Sequence, residues 1–398
     1  MPNPLEVQVR EIVAGRVHDV MASTNTPGMV VGVVLPPPTK DQAPVQLEFH
    51  YGAAVVADGS APETPVAADT HWEMGSETKL FTGLLLATMA PTGADGTCAT
   101  GAQVCLTDPI SDHLPASIVS KIGPEKAAIT LLELATHTSG LPDDPPNLYA
   151  GCPLAPGSKK HETCADWRAL YSDELMWDGV AQSEMQFSPG AEGRWLYSDL
   201  GFAILGAILA DVADPGQSSN PFAEVVASEL TDPLGLTATG PEDDSDPLLA
   251  MGYKYATSTT TTTTGDTPPT VVPTPRWNNT NAFIAGGGFT TDLSDVTSYV
   301  AAALGYNPSP LTPALAETLV PRTNGEGPTM QMGLAWQMMS QTWFPTTYGF
   351  KNGGTYGFKS ATVVVPSMDY GVTMLSNSPG APDPVVTAIM NDLEPLLS

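Results

Sequence analysis

Two pairs of strand-like segments, one near each end of this 398-residue chain, constrain its fold more than any other feature. Met29–Leu35 is a continuous apolar run of strand length, and Val45–Tyr51 alternates apolar with polar residues. Pro36-Pro37-Pro38 belongs to their connection. Near the other end, Ala361–Pro366 and Tyr370–Ser376 read as strands joined by a tight turn. Between these pairs the patterns are helical, with apolar runs near residues 80–90 and 200–213. Strands at both ends and helices between them imply one sheet built from the two termini, interrupted by a helical insertion. Leu5, Val9, Ile12, Val13, Val17 and Val20 recur at helical spacing and predict a surface helix over 5–24 with one buried stripe. A last amphipathic helix is expected from about Asp383 to Leu397.

Ser76 and Lys79 open the apolar run that begins at Leu80. On a helix, residues three apart share a face with Cβ atoms roughly 5–6 Å apart, so the lysine amine reaches the serine hydroxyl. A serine is a weak nucleophile until a neighbouring base takes its proton, and a neutral lysine can be that base. Alone, S-x-x-K also reads as a helix-capping serine followed by a solvated lysine. Two further motifs weigh against that reading: Tyr197-Ser198-Asp199, and Lys351-Asn352-Gly353-Gly354-Thr355. No G-x-S-x-G occurs, and none of the six histidines is an obvious partner for Ser76, which disfavours a Ser-His-Asp triad. His137, in His-Thr-Ser-Gly, reads as a structural turn residue.

In that order and spacing, the three motifs resemble the S-x-x-K, Y-x-N and K-T-G (or H-x-G) motifs of the penicillin-recognising serine hydrolases. Class C β-lactamases, D-alanyl-D-alanine carboxypeptidases/endopeptidases and family VIII esterases look most similar. Thr130–Pro142 and Gly286–Thr291 resemble family segments too, so the likeness runs over about residues 5–395. It implies an α/β fold of the β-lactamase/transpeptidase type: an α/β/α sandwich with an antiparallel sheet from residues 1–75 and 286–398, and a mostly helical domain from 76–285. A threonine-rich loop at 256–275 would sit in the helical part.

The resemblance assigns Ser76 as nucleophile, with Lys79, Tyr197 and Lys351 in one hydrogen-bonded network. Burial near Lys351 is expected to push the Lys79 amine down and so free it to act as a base. The N–H groups of Ser76 and Gly354 would bind the oxyanion, with Gly353, Asn352 and Asp199 lining the substrate site. Two of these depart from the family pattern. Asp199 replaces the usual asparagine, where a carboxylate favours the charged form of Lys79 or anchors a substrate amine. Asn352 replaces the common threonine and removes a hydroxyl that could meet a substrate carboxylate, although Lys351 keeps a positive charge there. The expected function is an acyl-enzyme serine hydrolase acting on D-alanyl-type peptides or amides, with β-lactams as slow substrates or inhibitors. The alternatives are a family VIII-like carboxylesterase, a class C-like β-lactamase and a non-catalytic penicillin-binding sensor. No metal or organic cofactor is implied.

Net charge of −28, from 43 acidic against 15 basic residues, disfavours nucleic acid as a partner and leaves small molecules or peptides. No stretch is long and apolar enough to span a bilayer. The four cysteines fall into two close pairs, Cys98 with Cys105 and Cys152 with Cys164. Such pairing favours local disulfides and a periplasmic or secreted protein whose leader is absent, over a cytoplasmic one with free thiols.

Overall fold

A computed structural model describes residues 4–397 except 40, 58–61, 93–96, 155, 159–163, 165–166, 217–220, 244, 257–268 and 381–382. Most of the threonine-rich segment therefore lies outside the described residues. Its flanks, Tyr253–Tyr255 and Val271–Pro273, pair as an antiparallel hairpin.

Helix α1 spans Pro4–Thr24, followed by strands β1 (Gly28–Leu35), β2 (Val45–Val55) and β3 (Thr64–Pro65). Strand β1 pairs with β2 on one side and with the last strand, Tyr370–Ser376, on the other, with Met29 opposite Ser376. This pairing joins the two ends of the chain in one nine-stranded sheet. Beyond the last strand follow Lys359–Val365, Tyr348–Gly354, Gln337–Met339, Met330–Met332 and Thr323–Asn324, every neighbouring pair antiparallel.

One face of the sheet is covered by Val9, Val13 and Val17 of α1 and by Val386, Ile389 and Leu393 of the C-terminal helix Asp383–Leu397. They pack with Val31, Val33, Val363, Val365 and Val372, and each fully buried aliphatic side chain contributes about 1.5–3 kcal/mol. The opposite face carries the helix Leu293–Ala303, which can approach β1 because position 32 is glycine. A Cβ there would lie 2.1 Å from Thr297 Oγ1.

Helix α2, Thr78–Met89, is buried at every position but Thr88, as expected for a helix that is apolar all round. It packs with the helix Asp199–Ala213, whose N-cap is Ser198. The Ser198 hydroxyl accepts from Gly201 N at 2.9 Å and donates to the Pro142 carbonyl at 2.7 Å. A mixed architecture of antiparallel sheet and helices is therefore established, as the strand and helix patterns imply.

Both cysteine pairs are disulfides, Cys98–Cys105 and Cys152–Cys164, each stapling its own short loop. Replacing Cys152 and Cys164 together by alanine is expected to lower the unfolding free energy by about 2–3 kcal/mol through the lost loop constraint. Urea denaturation would read this directly. An unchanged midpoint would mean that the loop is constrained without its bridge.

Candidate active site

The turn Gly75–Glu77 leads straight into α2 and sets Ser76 at the head of the buried helix. The turn fits against the strand Tyr348–Gly354 because two positions lack a side chain. Gly75 has φ +53°, and a Cβ on it would lie 2.6 Å from Gly354 N; one on Gly353 would lie 2.0 Å from the Met74 carbonyl oxygen. Ser360 Oγ, on the next strand, donates to that same carbonyl at 2.8 Å.

Around Ser76 the structure brings together Lys79, Tyr197 and Asp199. Tyr197 Oη donates to Ser76 Oγ at 2.7 Å, and Lys79 Nζ donates to it at 3.1 Å. Lys79 also donates to Asp199 Oδ1 at 2.5 Å and to the Gly286 carbonyl at 2.6 Å. Three acceptors match the three N–H bonds of an ammonium, and a neutral amine would leave one of them unmet. Burial works against that charge, but Asp199 and then Tyr197 outweigh it and hold Lys79 above its ordinary range. This is the reverse of the shift expected from the neighbouring cation.

The depressed amine is Lys351. Burial first, then the charge on Lys79, push it down to about 7. Its Nζ lies 5.5 Å from the centre of the Tyr197 ring, whose other close cation is Lys79 at 5.0 Å. Desolvation pushes the Tyr197 phenol up to about 12, so it stands protonated at neutral pH. At neutrality the site thus holds a charged Lys79, a phenol and, beside them, a Lys351 able to take or release a proton, whose Nζ donates to the Asn352 carbonyl at 2.9 Å and, among the described residues, makes no hydrogen bond to Ser76, Lys79 or Tyr197.

His137 orients the tyrosine. It is buried with φ +59°, its ring stacks on Tyr197 at 4.4 Å, and Nδ1 accepts from Ser198 N at 3.1 Å. Burial, then Lys79 and Lys351, lower its pKa well below the ordinary value, so it is a neutral spacer, as the turn reading supposed.

Of the residues expected at the substrate site, Ser76, Asp199 and Gly354 line one narrow cavity of about 60 Å³, and Gly353 lies against the serine turn. Asn352 does not reach the cavity with its amide. Side chains alternate along a strand, and Nδ2 of Asn352 donates instead to Asp383 Oδ2 at 2.7 Å, at the start of the C-terminal helix. Its place as a substrate-binding residue is corrected accordingly.

Two sets of residues at the site escaped the sequence reading. Glu77, an unspecified position of S-x-x-K, is fully buried, and among the described residues neither carboxyl oxygen has a hydrogen-bond partner. Burial pushes it up to about 8 beside Thr362, Lys351 and Ser360. A carboxyl at the head of an otherwise apolar helix was the available signal. Asp144, Arg168, Trp277 and Asn279 line the same cavity as Ser76. They come from irregular segments with no periodicity to mark them.

This geometry is matched by relationship. A family model described as Beta-lactamase matches residues 13–396. Over 327 residues the chain is 24% identical to the D-alanyl-D-alanine-carboxypeptidase/endopeptidase AmpH of Escherichia coli (strain K12), covering 78% of this chain and 72% of that protein. A beta-lactamase-like protein of Arthroderma benhamiae is 24% identical over 401 residues, 96% of this chain and 60% of that one. Among solved structures, a class C beta-lactamase superposes with TM-score 0.71 at 20% identity, covering 100% of this chain and 99% of the other. A beta-lactamase/D-alanine carboxypeptidase from Pseudomonas syringae gives TM-score 0.68 at 22% identity, covering 97% and 98%. With a family match over nearly its full length, the chain belongs to the beta-lactamase family of penicillin-recognising serine hydrolases.

Proposed function

We propose that the protein hydrolyses D-alanyl-type peptides or amides through an acyl-enzyme on Ser76, with β-lactams as slow substrates or inhibitors. The observation that carries this reading is the double engagement of Ser76 Oγ by Tyr197 Oη at 2.7 Å and Lys79 Nζ at 3.1 Å. Ser76 Oγ attacks the scissile carbonyl and its proton enters the Tyr197–lysine network, whose open proton position is Lys351. The C–N bond then breaks, the departing nitrogen takes that proton, and the acyl group stays on Ser76 as an ester. Water hydrolyses the ester, releases the acid and returns the proton to Ser76. The N–H groups of Ser76 and Gly354 are the proposed donors to the oxyanion, and losing one such donor costs on the order of 10²–10³ in rate.

A neutral carboxylester is the second substrate class. The observation favouring it is Asn352, whose amide bonds Asp383 rather than facing a substrate carboxylate. The two disulfides suit a periplasmic or secreted setting, and among the described residues no helix is long and apolar enough to cross a membrane.

Intact mass after exposure to a fluorescent penicillin should rise by one adduct, and peptide mapping should place it on Ser76. A label on Ser139 or Ser198 would reassign the nucleophile. Both of those hydroxyls are already engaged locally, Ser139 Oγ by Leu141 N and Ser198 Oγ as a helix cap.

A further inference from the structure

We propose that the cavity beside Ser76 is a receptor for a primary ammonium group on the acyl part of the substrate, held by Asp144, Asp199 and Asn279. This rests on the acyl-enzyme reading above and names the substrate class for it. All three residues line the cavity that contains Ser76, and what they offer it are acceptors. Asn279 is 3% exposed, its Nδ2 donates to the Phe283 carbonyl at 3.0 Å, and its Oδ1 has no hydrogen-bond partner among the described residues. A buried acceptor left without a donor costs free energy, so a ligand N–H that reaches it is favoured. Asp144 makes no hydrogen bond or ion pair among the described residues. Asp199 gives Oδ1 to Lys79 and stays 32% exposed toward the cavity.

Arg168, the cation of this cavity, lies within the field of Asp144 and Asp199 but makes no ion pair or hydrogen bond with either among the described residues. Its guanidinium carbon lies 3.7 Å and 3.2 Å from the ring centres of Trp167 and Trp277, and Nη1 donates to Tyr356 Oη at 3.1 Å. Asp143, whose Oδ1 accepts from Asp199 N at 3.0 Å, is a further carboxylate next to Asp144 and Asp199. Burial, then Asp143 and Asp199, push Asp144 up to about 6, against the smaller opposing effects of Arg168 and Lys79. An ammonium supplies three N–H donors and a positive charge, which suit the Asn279 oxygen and a carboxylate that has no direct partner among the described residues. The indole rings and Phe283 form apolar walls for the rest of the acyl group.

The test compares the methyl esters of D-alanine and of N-acetyl-D-alanine, with product followed by chromatography at a pH where the free amine is protonated. The wild type should prefer the free amine in kcat/KM by on the order of 10- to 100-fold, the worth of one or two hydrogen bonds to a charged group. Asp144→Asn should bring that ratio toward one, chiefly through KM of the amine substrate. Asn279→Asp, which keeps the acceptor and adds charge, should keep or raise it. A wild-type ratio at or below one, or a ratio unmoved by Asp144→Asn, would overturn the ammonium receptor while leaving the serine mechanism standing. Turnover of neither ester, together with no penicillin label on Ser76, would remove both.

Discussion

Ser76→Ala and Lys79→Ala will each lower kcat for a short-chain p-nitrophenyl ester by on the order of 10⁴-fold or more, and the double variant will be little worse than either single one. The near-identity of the three losses is the informative part. Ser76 Oγ accepts from both Tyr197 and Lys79, so removing the lysine takes away the charge and the hydrogen bond that hold the serine oxygen in place for attack, and the lysine has no substrate chemistry once the serine is gone. Groups that act as one unit give effects far from additive. If the two single losses instead multiplied in the double variant, Lys79 would be working on something other than the serine proton. Full activity in Ser76→Ala would place the nucleophile elsewhere. Circular dichroism and a thermal melt of Lys79→Ala are needed alongside, because removing a buried ammonium leaves Asp199 and the Gly286 carbonyl without their donor.

For Asp199→Asn the expected result is a shift of the acid limb of kcat/KM to lower pH on a neutral ester. The sign follows from charge. Asp199 favours the protonated form of Lys79 and also of Lys351, so removing the anion makes both amines easier to deprotonate. In the wild type the limb is expected near Lys351's value of about 7, below which the network is full and cannot take the serine proton. At a pH roughly one to two units below that midpoint, the variant should be faster by on the order of tenfold. The asparagine carbonyl can still accept from Lys79, which keeps the geometry comparable. A limb that stays in place or moves upward would show that the working base lies outside the field of Asp199. The neutral ester keeps this measurement separate from any role of Asp199 in binding an amine.

How far the chain could be read in advance varied with the kind of signal. The terminal strands were legible because Met29–Leu35 is apolar throughout and Tyr370–Ser376 mostly so, and both lie inside the sheet with every residue buried. Ser76 and Lys79 were legible because residues three apart at the head of an apolar run share a face, and Tyr197 because Tyr-Ser-Asp resembles the second motif of the family. Which lysine carries the proton was not. That depends on Asp199 approaching Lys79 to 2.5 Å across 120 residues of sequence, a distance that no local pattern encodes. Asn352 was misplaced because motif matching ignores the alternation of a strand, which turns its amide toward Asp383. Glu77 was passed over because a motif written with unspecified positions invites no question about what fills them.

The pairing of Met29 with Ser376 also fixes when the molecule can become itself. The first strand has no neighbour on its inner side until almost the whole polypeptide exists, and Lys351 reaches the serine turn only on a strand from the last eighth of the chain. The segments that carry Ser76, Lys79 and Tyr197 are finished much earlier. Pairings this distant in sequence close slowly and leave unpaired edges exposed in the meantime. During synthesis the nucleophile is therefore made early and armed last, and a chain that stops short of its final strands would carry a serine with no completed site around it.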